Sequence, residues 1–186
     1  MKKVDVERTL WYRLMHPMHT VLATCVDRAG RPKIITLAWA MPISARPPML
    51  AVCVAPARYS HALIAEAREF TVNVPTAEIA DKVMFCGVKS GRDGDKFQAC
   101  GLTPRPAKVV KPPVIQECVA HLECRVTKQI DTGGSHTLFL AEIVAGYTDE
   151  DAFTSGELDN ENVRTLHSSD SRLFTTAPQV LSQRID

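Results

Sequence analysis

The sequence predicts a mainly β fold of the α+β kind: a small β-barrel with a few helices packed on its outside. Three observations predict it. Strand-length apolar runs recur along the chain between Pro, Gly and Asp turns. Only two or three segments carry helical spacing, and most successive strands are joined by hairpin-length connections. Residues 19–26 form the first run, and Asp27 to Arg31 supply a hairpin turn after it. Residues 33–39 and 49–54 are the next two strands, separated by a bend between Pro42 and Pro48. A helix is expected over residues 58–69, with Leu63, Ile64 and Ala67 inward and Glu66, Arg68 and Glu69 outward. Residues 70–75 read as a strand, and residues 78–85 as a helix burying Ile79, Val83 and Met84. Gly87, Gly91 and Gly94 then mark a loop, followed by a short helical turn over residues 95–99. Ala120, Leu122, Cys124 and Val126 alternate with His121, Glu123 and Arg125, the period of a half-buried strand. Residues 136–147 are apolar in both phases, as expected of a strand covered on both sides.

Composition narrows the function. A chain of 186 residues fits one domain and is long enough to bury roughly 70% of its unfolded surface. A net charge of +1 argues against nucleic acid or an anionic membrane surface as partner. The apolar runs fall far short of the roughly 20 residues that a membrane span needs. Asp5, Glu7 and Arg8 interrupt any apolar leader, so a cytoplasmic protein is expected. The six cysteines contain no C-x-x-C pair and the six histidines no metal-ligand spacing, so neither a disulfide framework nor a metal site is expected.

The chemistry concentrates between residues 36 and 97. Arg58, Tyr59 and Ser60 stand in the first turn of a helix. Free N–H groups, the helix dipole, a cation and a hydroxyl there favour a phosphate. Trp39 and Met41, just upstream, offer flat and polarisable surface for a ring. A phosphate at one end and a planar ring at the other point to flavin mononucleotide (FMN). The plain alternatives are a core Trp39 and a solvated helix start capped by Ser60.

W-x-M-P-x-S-x-x-P-P from Trp39, R-Y-S from Arg58, F-x-V-N from Phe70, C-G-x-x-S-G-R-D-x-D-K-F from Cys86 and G-S-H-T-L-F from Gly134 occur in that order. Together they resemble the flavin reductase-like family, in particular its flavoredoxin and ferric reductase branch. The resemblance runs from about residue 16 to about residue 150, leaving residues 151–186 as a C-terminal tail of a single domain. It implies the FMN-binding split β-barrel, FMN held non-covalently at a homodimer interface, and electron exchange with NAD(P)H or a redox protein partner. By the same resemblance, Trp39 and Met41 line the isoalloxazine, and backbone near Thr36 and Ala38 meets its polar edge. Arg58, Tyr59 and Ser60 hold the phosphate, while Cys86, Gly87 and Lys96 come from the following loop. Lys96 near the N1–C2=O edge would stabilise the reduced ring. His136 comes from the strand that closes the pocket and is the candidate catalytic residue. Lys33 falls at a contact position where relatives often have Asn, and Phe174 stands where a C-terminal aromatic covers the ring. Ser135 replaces a common Asp, and Ala141 a common Gly.

These readings imply an NAD(P)H-dependent oxidoreductase that passes electrons from bound FMN to free flavin, a ferric complex or a protein. Two alternatives stay open: an FMN electron carrier without a nicotinamide site, and a β-barrel that binds a non-flavin ligand or a protein. No G-x-G-x-x-G follows a strand, so the residues themselves mark no dinucleotide fold.

Overall fold

The computed structural model describes residues 1–159, 161–169 and 174–176. Seven strands form its main sheet: β1 (Val21–Val26), β2 (Pro32–Leu37), β3 (Ala40–Ala45), β4 (Pro48–Val54), β5 (Glu69–Val74), β6 (Ala120–Asp131) and β7 (Thr137–Thr148). They lie in the order β2-β1-β5-β6-β7-β4-β3, and every neighbouring pair is antiparallel. Alternate residues from nearly the whole sheet meet in one core, among them Ala23, Ile35, Val52, Phe70, Cys124 and Phe139. A sheet whose two ends share one core is rolled into a barrel. β2 and β3 are its open edges, and the β3–β4 ladder runs one residue further, where Cys53 N–H donates to Trp39 O at 2.9 Å. The result is a split barrel.

Three α-helices among the described residues complete the architecture: α1 (Tyr59–Ala67), α2 (Ala80–Val88) and α3 (Lys96–Cys100). Leu63 and Ile64 of α1 enter the barrel core. α2 and α3 cover the outside of β1 and β2, where Leu22 and Ile34 join Val83, Cys86, Phe97 and Leu166 in a second core. Leu166 belongs to a short strand, Leu166–Ser168, which pairs with Met18–His19 and with Phe174–Thr176. No helix among the described residues is long and apolar enough to cross a membrane.

Several expectations are corrected. The stretch expected as a Pro-bearing bend is strand β3, paired with β4 from Ala40 to Ala45. Proline is tolerated because β3 is an edge, where a missing N–H breaks no ladder on its outer side. α1 stops at Ala67, since Arg68 turns into the left-handed region at φ 58° and Glu69 opens β5; Ala67 is exposed. α2 runs on through Cys86 and Gly87, so those residues end a helix instead of opening a loop.

In β6 the polar phase is the surprise, because His121 and Glu123 are buried. Glu123 accepts N–H bonds from Lys108, Val109 and Val110 and the hydroxyl of Tyr147, supplying acceptors to a stretch that has no ladder partner. Burial acts to raise its pKa, but these donors hold it below the usual carboxylate range. β7 is covered on one side only. Leu138 and Leu140, on its outer phase, stay half-exposed.

Candidate functional site

A cleft of about 650 Å³ opens between β2, which contributes Ile35, Thr36 and Leu37, and the end of β4 at Cys53 and Val54. Thr36, Ala38 and Trp39 wall it on one side and Cys53 on another, while Arg58, Gly87 and His136 lie around it. A smaller cavity of about 180 Å³ continues from it, sharing Ile35, Arg58 and Gly87 and adding Tyr59, Ser60, Cys86, Ser90 and Lys96. The larger volume falls in the ~300–1,000 Å³ range of small-molecule sites.

The smaller cavity is the polar end. Arg58 is the N-cap residue of α1, extended at φ −76° and ψ 135°, with its N–H given to Ala55 O and its side chain exposed. The N–H groups that open a helix have no partner within it, so this start offers donors beside a guanidinium and the buried Ser60. Lys96 adds a second cation. It is only 7% exposed, and its ammonium donates to Ile34 O at 2.9 Å and Cys86 O at 2.6 Å. Burial draws its pKa below that of an ordinary lysine, with the nearby Arg58 acting the same way. The bond to Cys86 O also satisfies a carbonyl in the last turn of α2, which would otherwise present negative dipole to an anion in this cavity.

The larger cleft is the aromatic end. Trp39 follows β2 in the short link to β3, and its ring lies 4.4 Å from that of His136, tilted by 40°. His136 Nδ1 is 2.8 Å from Ser135 Oγ. Burial and then the charge of Arg58 lower its pKa, so the imidazole is neutral at neutral pH. Thr36 Oγ1 donates to Val83 O at 2.7 Å and ties the cleft wall in β2 to α2 behind it.

The structure brings Thr36, Ala38, Trp39, Arg58, Tyr59, Ser60, Cys86, Gly87, Lys96 and His136 to these two joined cavities. Other expected site residues lie elsewhere. Met41 is 61% exposed on the outer face of β3, because strand geometry replaces the expected bend and alternation sends it away from the core face that holds Ala40. Lys33 lines a neighbouring groove beside Tyr59. Phe174 packs on the second core, drawn there by the pairing of Ser168 with it, and is not part of the cleft. Lys96 stands on the smaller cavity only, beside the polar end and not in the ring cleft. Cys86 is 1% exposed and lies 3.9 Å, sulfur to sulfur, from Cys100. Burial pushes its thiol up to about 12, which makes it an inert packing residue.

Residues not expected also line the cleft. A 3-10 helix, Arg8–Met15, buries none of its residues yet sets Tyr12 against Trp39, ring centroids 5.8 Å apart at 72°. Thr9, Arg13 and His16 accompany it, with Cys53 from β4 and Ser168 from the far end of the chain. Tyr12 belongs to a segment that buries none of its residues, so no core periodicity marks it. Nothing local marked Cys53 or Ser168.

The donor set and shape fit a flavin mononucleotide: a cation, a hydroxyl and helix N–H groups at one end, aromatic surface at the other. A rolled, split sheet with such a cleft beside its edge strand β2 defines a flavin-type split barrel. The chain belongs to the flavin reductase-like family, whose model, "Flavin reductase like domain", matches residues 12–167. It is 40% identical over 162 residues to an uncharacterized protein of Archaeoglobus fulgidus, covering 87% of this chain and 89% of that one. Flavoredoxin of Desulfovibrio vulgaris (Miyazaki F) superposes with a TM-score of 0.86 at 31% identity, over 98% of this chain and 97% of the other. Flavoredoxin from Methanosarcina acetivorans gives a TM-score of 0.88 at 26% identity, over 98% and 95%.

Proposed function

We propose that this chain binds FMN non-covalently in the joined cavities and acts as an NAD(P)H-dependent oxidoreductase. Electrons then pass to free flavin, a ferric complex or a protein partner. The observation that carries this reading is the continuity of a polar cavity at the start of α1 with an aromatic cleft at the barrel's split. When bound, FMN supplies the acceptance of a hydride and its onward delivery as electrons. The protein's part is binding, orientation and control of access. Arg58, Ser60 and the opening N–H groups of α1 hold the dianionic phosphate, each charge-assisted bond contributing roughly 1.5–3 kcal/mol. Trp39 offers a flat face to the ring, and Tyr12 limits approach from the N-terminal side. A neutral His136 presents one N–H and one lone pair to the cleft, so it is able to donate to or accept from the bound ring without adding fixed charge.

The homodimer is part of the same proposal. Met41 of β3, Ile130 of β6 and Leu138 and Leu140 of β7 share one outer face beside the cleft, and none of α1, α2 and α3 packs on it. An apolar face of that kind is what a second copy would bury. Sedimentation of the FMN-loaded protein reads the assembly directly; a stable monomer contradicts it.

The similarity to flavoredoxins favours one other reading, an FMN electron carrier that takes electrons from a redox protein and not from nicotinamide. Anaerobic mixing of the FMN-loaded protein with NADH or NADPH separates the two. Rapid bleaching of the oxidised flavin band supports the reductase. A band that persists with both nucleotides, yet is lost on addition of dithionite, supports the carrier.

A further inference from the structure

Cys86 and Cys100 meet beside the polar cavity. Their sulfurs are 3.9 Å apart, the one pair of thiols in hydrogen-bonding contact among the described residues. Cys86 lies in the last turn of α2 and lines the smaller cavity, and Cys100 is the last residue of α3. We propose that the two form a reversible dithiol–disulfide switch that sets how tightly the polar end holds a phosphate. The effect on phosphate rests on the flavin reading of the cavities, whereas formation of the disulfide does not.

Position gives each thiol its part. Cys100 is half-buried, so a small oxidant reaches it first, and the buried Cys86 waits behind it. The oxidant is a hydroperoxide, such as the hydrogen peroxide formed when dioxygen takes two electrons from reduced flavin. The Cys100 sulfur attacks one peroxide oxygen and the O–O bond breaks. Cys100 becomes a sulfenic acid, and the departing oxygen leaves as an alcohol or water carrying the Cys100 proton. The Cys86 sulfur then attacks the Cys100 sulfur, the S–O bond breaks, and hydroxide leaves as water with the Cys86 proton. Two thiols have given two electrons to the peroxide. Toward outside reagents Cys86 is inert, because burial pushes its thiol up to about 12 and leaves a thiolate fraction of about 10⁻⁵ at pH 7. A partner held in contact offsets that fraction, since effective molarities reach about 10⁵ M or more. The charge of Lys96 also favours the Cys86 thiolate.

Lys96 links the pair to the phosphate seat. Its ammonium donates to Cys86 O at 2.6 Å, and its carbonyl accepts the Cys100 thiol at 2.8 Å. Bonding brings the sulfurs from 3.9 Å to about 2.05 Å and removes the proton that Cys100 gives to Lys96 O. The last turn of α2 is drawn toward α3, and Cys86 O turns from the ammonium that shields it from an anion. Oxidation therefore weakens FMN, and exchange with a small thiol restores the tight form.

The test treats FMN-loaded protein with hydrogen peroxide, quenches it with an alkylating agent, and reads intact mass and peptide map, in the native sequence and in Cys100→Ser. The expected product is about 2 Da lighter before alkylation, yields a Cys86–Cys100 cross-linked peptide, and returns to its starting mass with dithiothreitol. Cys100→Ser gives no such cross-link. Titration with FMN should then find the oxidised form weaker than the reduced form by about tenfold or more, with no such difference in Cys100→Ser. Cys86 still free after peroxide, a cross-link between other cysteines, or equal FMN affinity of the two forms overturns the proposal. Cys100→Ala replaces the variant if it fails to fold. If FMN binds neither form, the flavin reading falls, and the peptide map of peroxide-treated apoprotein still decides for or against the disulfide.

Discussion

The two ends of the cleft are assembled by different rules. At the polar end, Arg58, Tyr59 and Ser60 are consecutive in sequence, and Cys86, Gly87, Ser90 and Lys96 come from a single later stretch. At the aromatic end, Tyr12, Trp39, Cys53, His136 and Ser168 come from five separate parts of the chain. The polar end works through a helix start, a local device that any short segment of suitable composition can form. The aromatic end exists only when the barrel is rolled and β2, the end of β4 and the start of β7 stand side by side. Damage at the first should therefore remove binding energy with little change in the ring's surroundings, and damage at the second should do the reverse.

The largest effect is expected at Lys96, which belongs to both the fold and the polar end. Lys96→Met leaves Ile34 O and Cys86 O without their donor, at a cost of about 1–3 kcal/mol for each buried carbonyl. Denaturant unfolding of the apoprotein measures this, and a midpoint equal to that of the native sequence would show Lys96 to be solvated. Arg58→Ala comes next. It should weaken FMN by roughly ten- to a hundredfold while leaving the bound flavin's absorption band in place. An unchanged dissociation constant removes Arg58 from the phosphate seat. Trp39→Ala is the converse, expected to change the absorption or fluorescence of bound flavin with the fold intact, and an identical spectrum would place Trp39 outside the ring site. Tyr12→Ala should be milder, since an edge-on aromatic pair is worth only about 0.5–1.5 kcal/mol. Flavin affinity should fall by about two- to tenfold, and a loss as large as that of Arg58→Ala would break the contrast between the two ends.

The smallest expected effect is on pH dependence. Burial lowers the pKa of His19, His61, His121 and His136 from 6.5. The unfolded chain therefore binds more protons than the folded one in the range just below that value. Stability is fully present above it and declines as pH falls through the lowered folded values. Unfolding midpoints that stayed flat between about pH 7 and pH 5 would show these imidazoles to be exposed.

The same contrast explains what the sequence disclosed. The Arg58–Ser60 cluster was legible because helix starts are written in neighbouring residues, and the strands of the barrel were legible because apolar runs are local too. Met41 was misplaced because the prolines around it suggested a bend, whereas an edge strand accepts proline without losing a ladder bond. Glu123 was assigned outward because its alternation was polar, yet three N–H groups from residues 108–110 draw it inside. Tyr12 sits on a 3-10 helix with no buried residue, so no core pattern announced it. In each case the deciding partner lies far along the chain, where periodicity carries no information.

The central claim is that the start of α1 grips a phosphate whose attached ring reaches the Trp39 end of the cleft. Equilibrium titration of the apoprotein with FMN and with riboflavin, which differ only in that phosphate, tests it most directly. FMN binding tighter by about a hundredfold or more is the expected result, from two or more charge-assisted bonds to the phosphate. Equal affinities would mean that Arg58 and Ser60 touch no phosphate, and the account would be wrong.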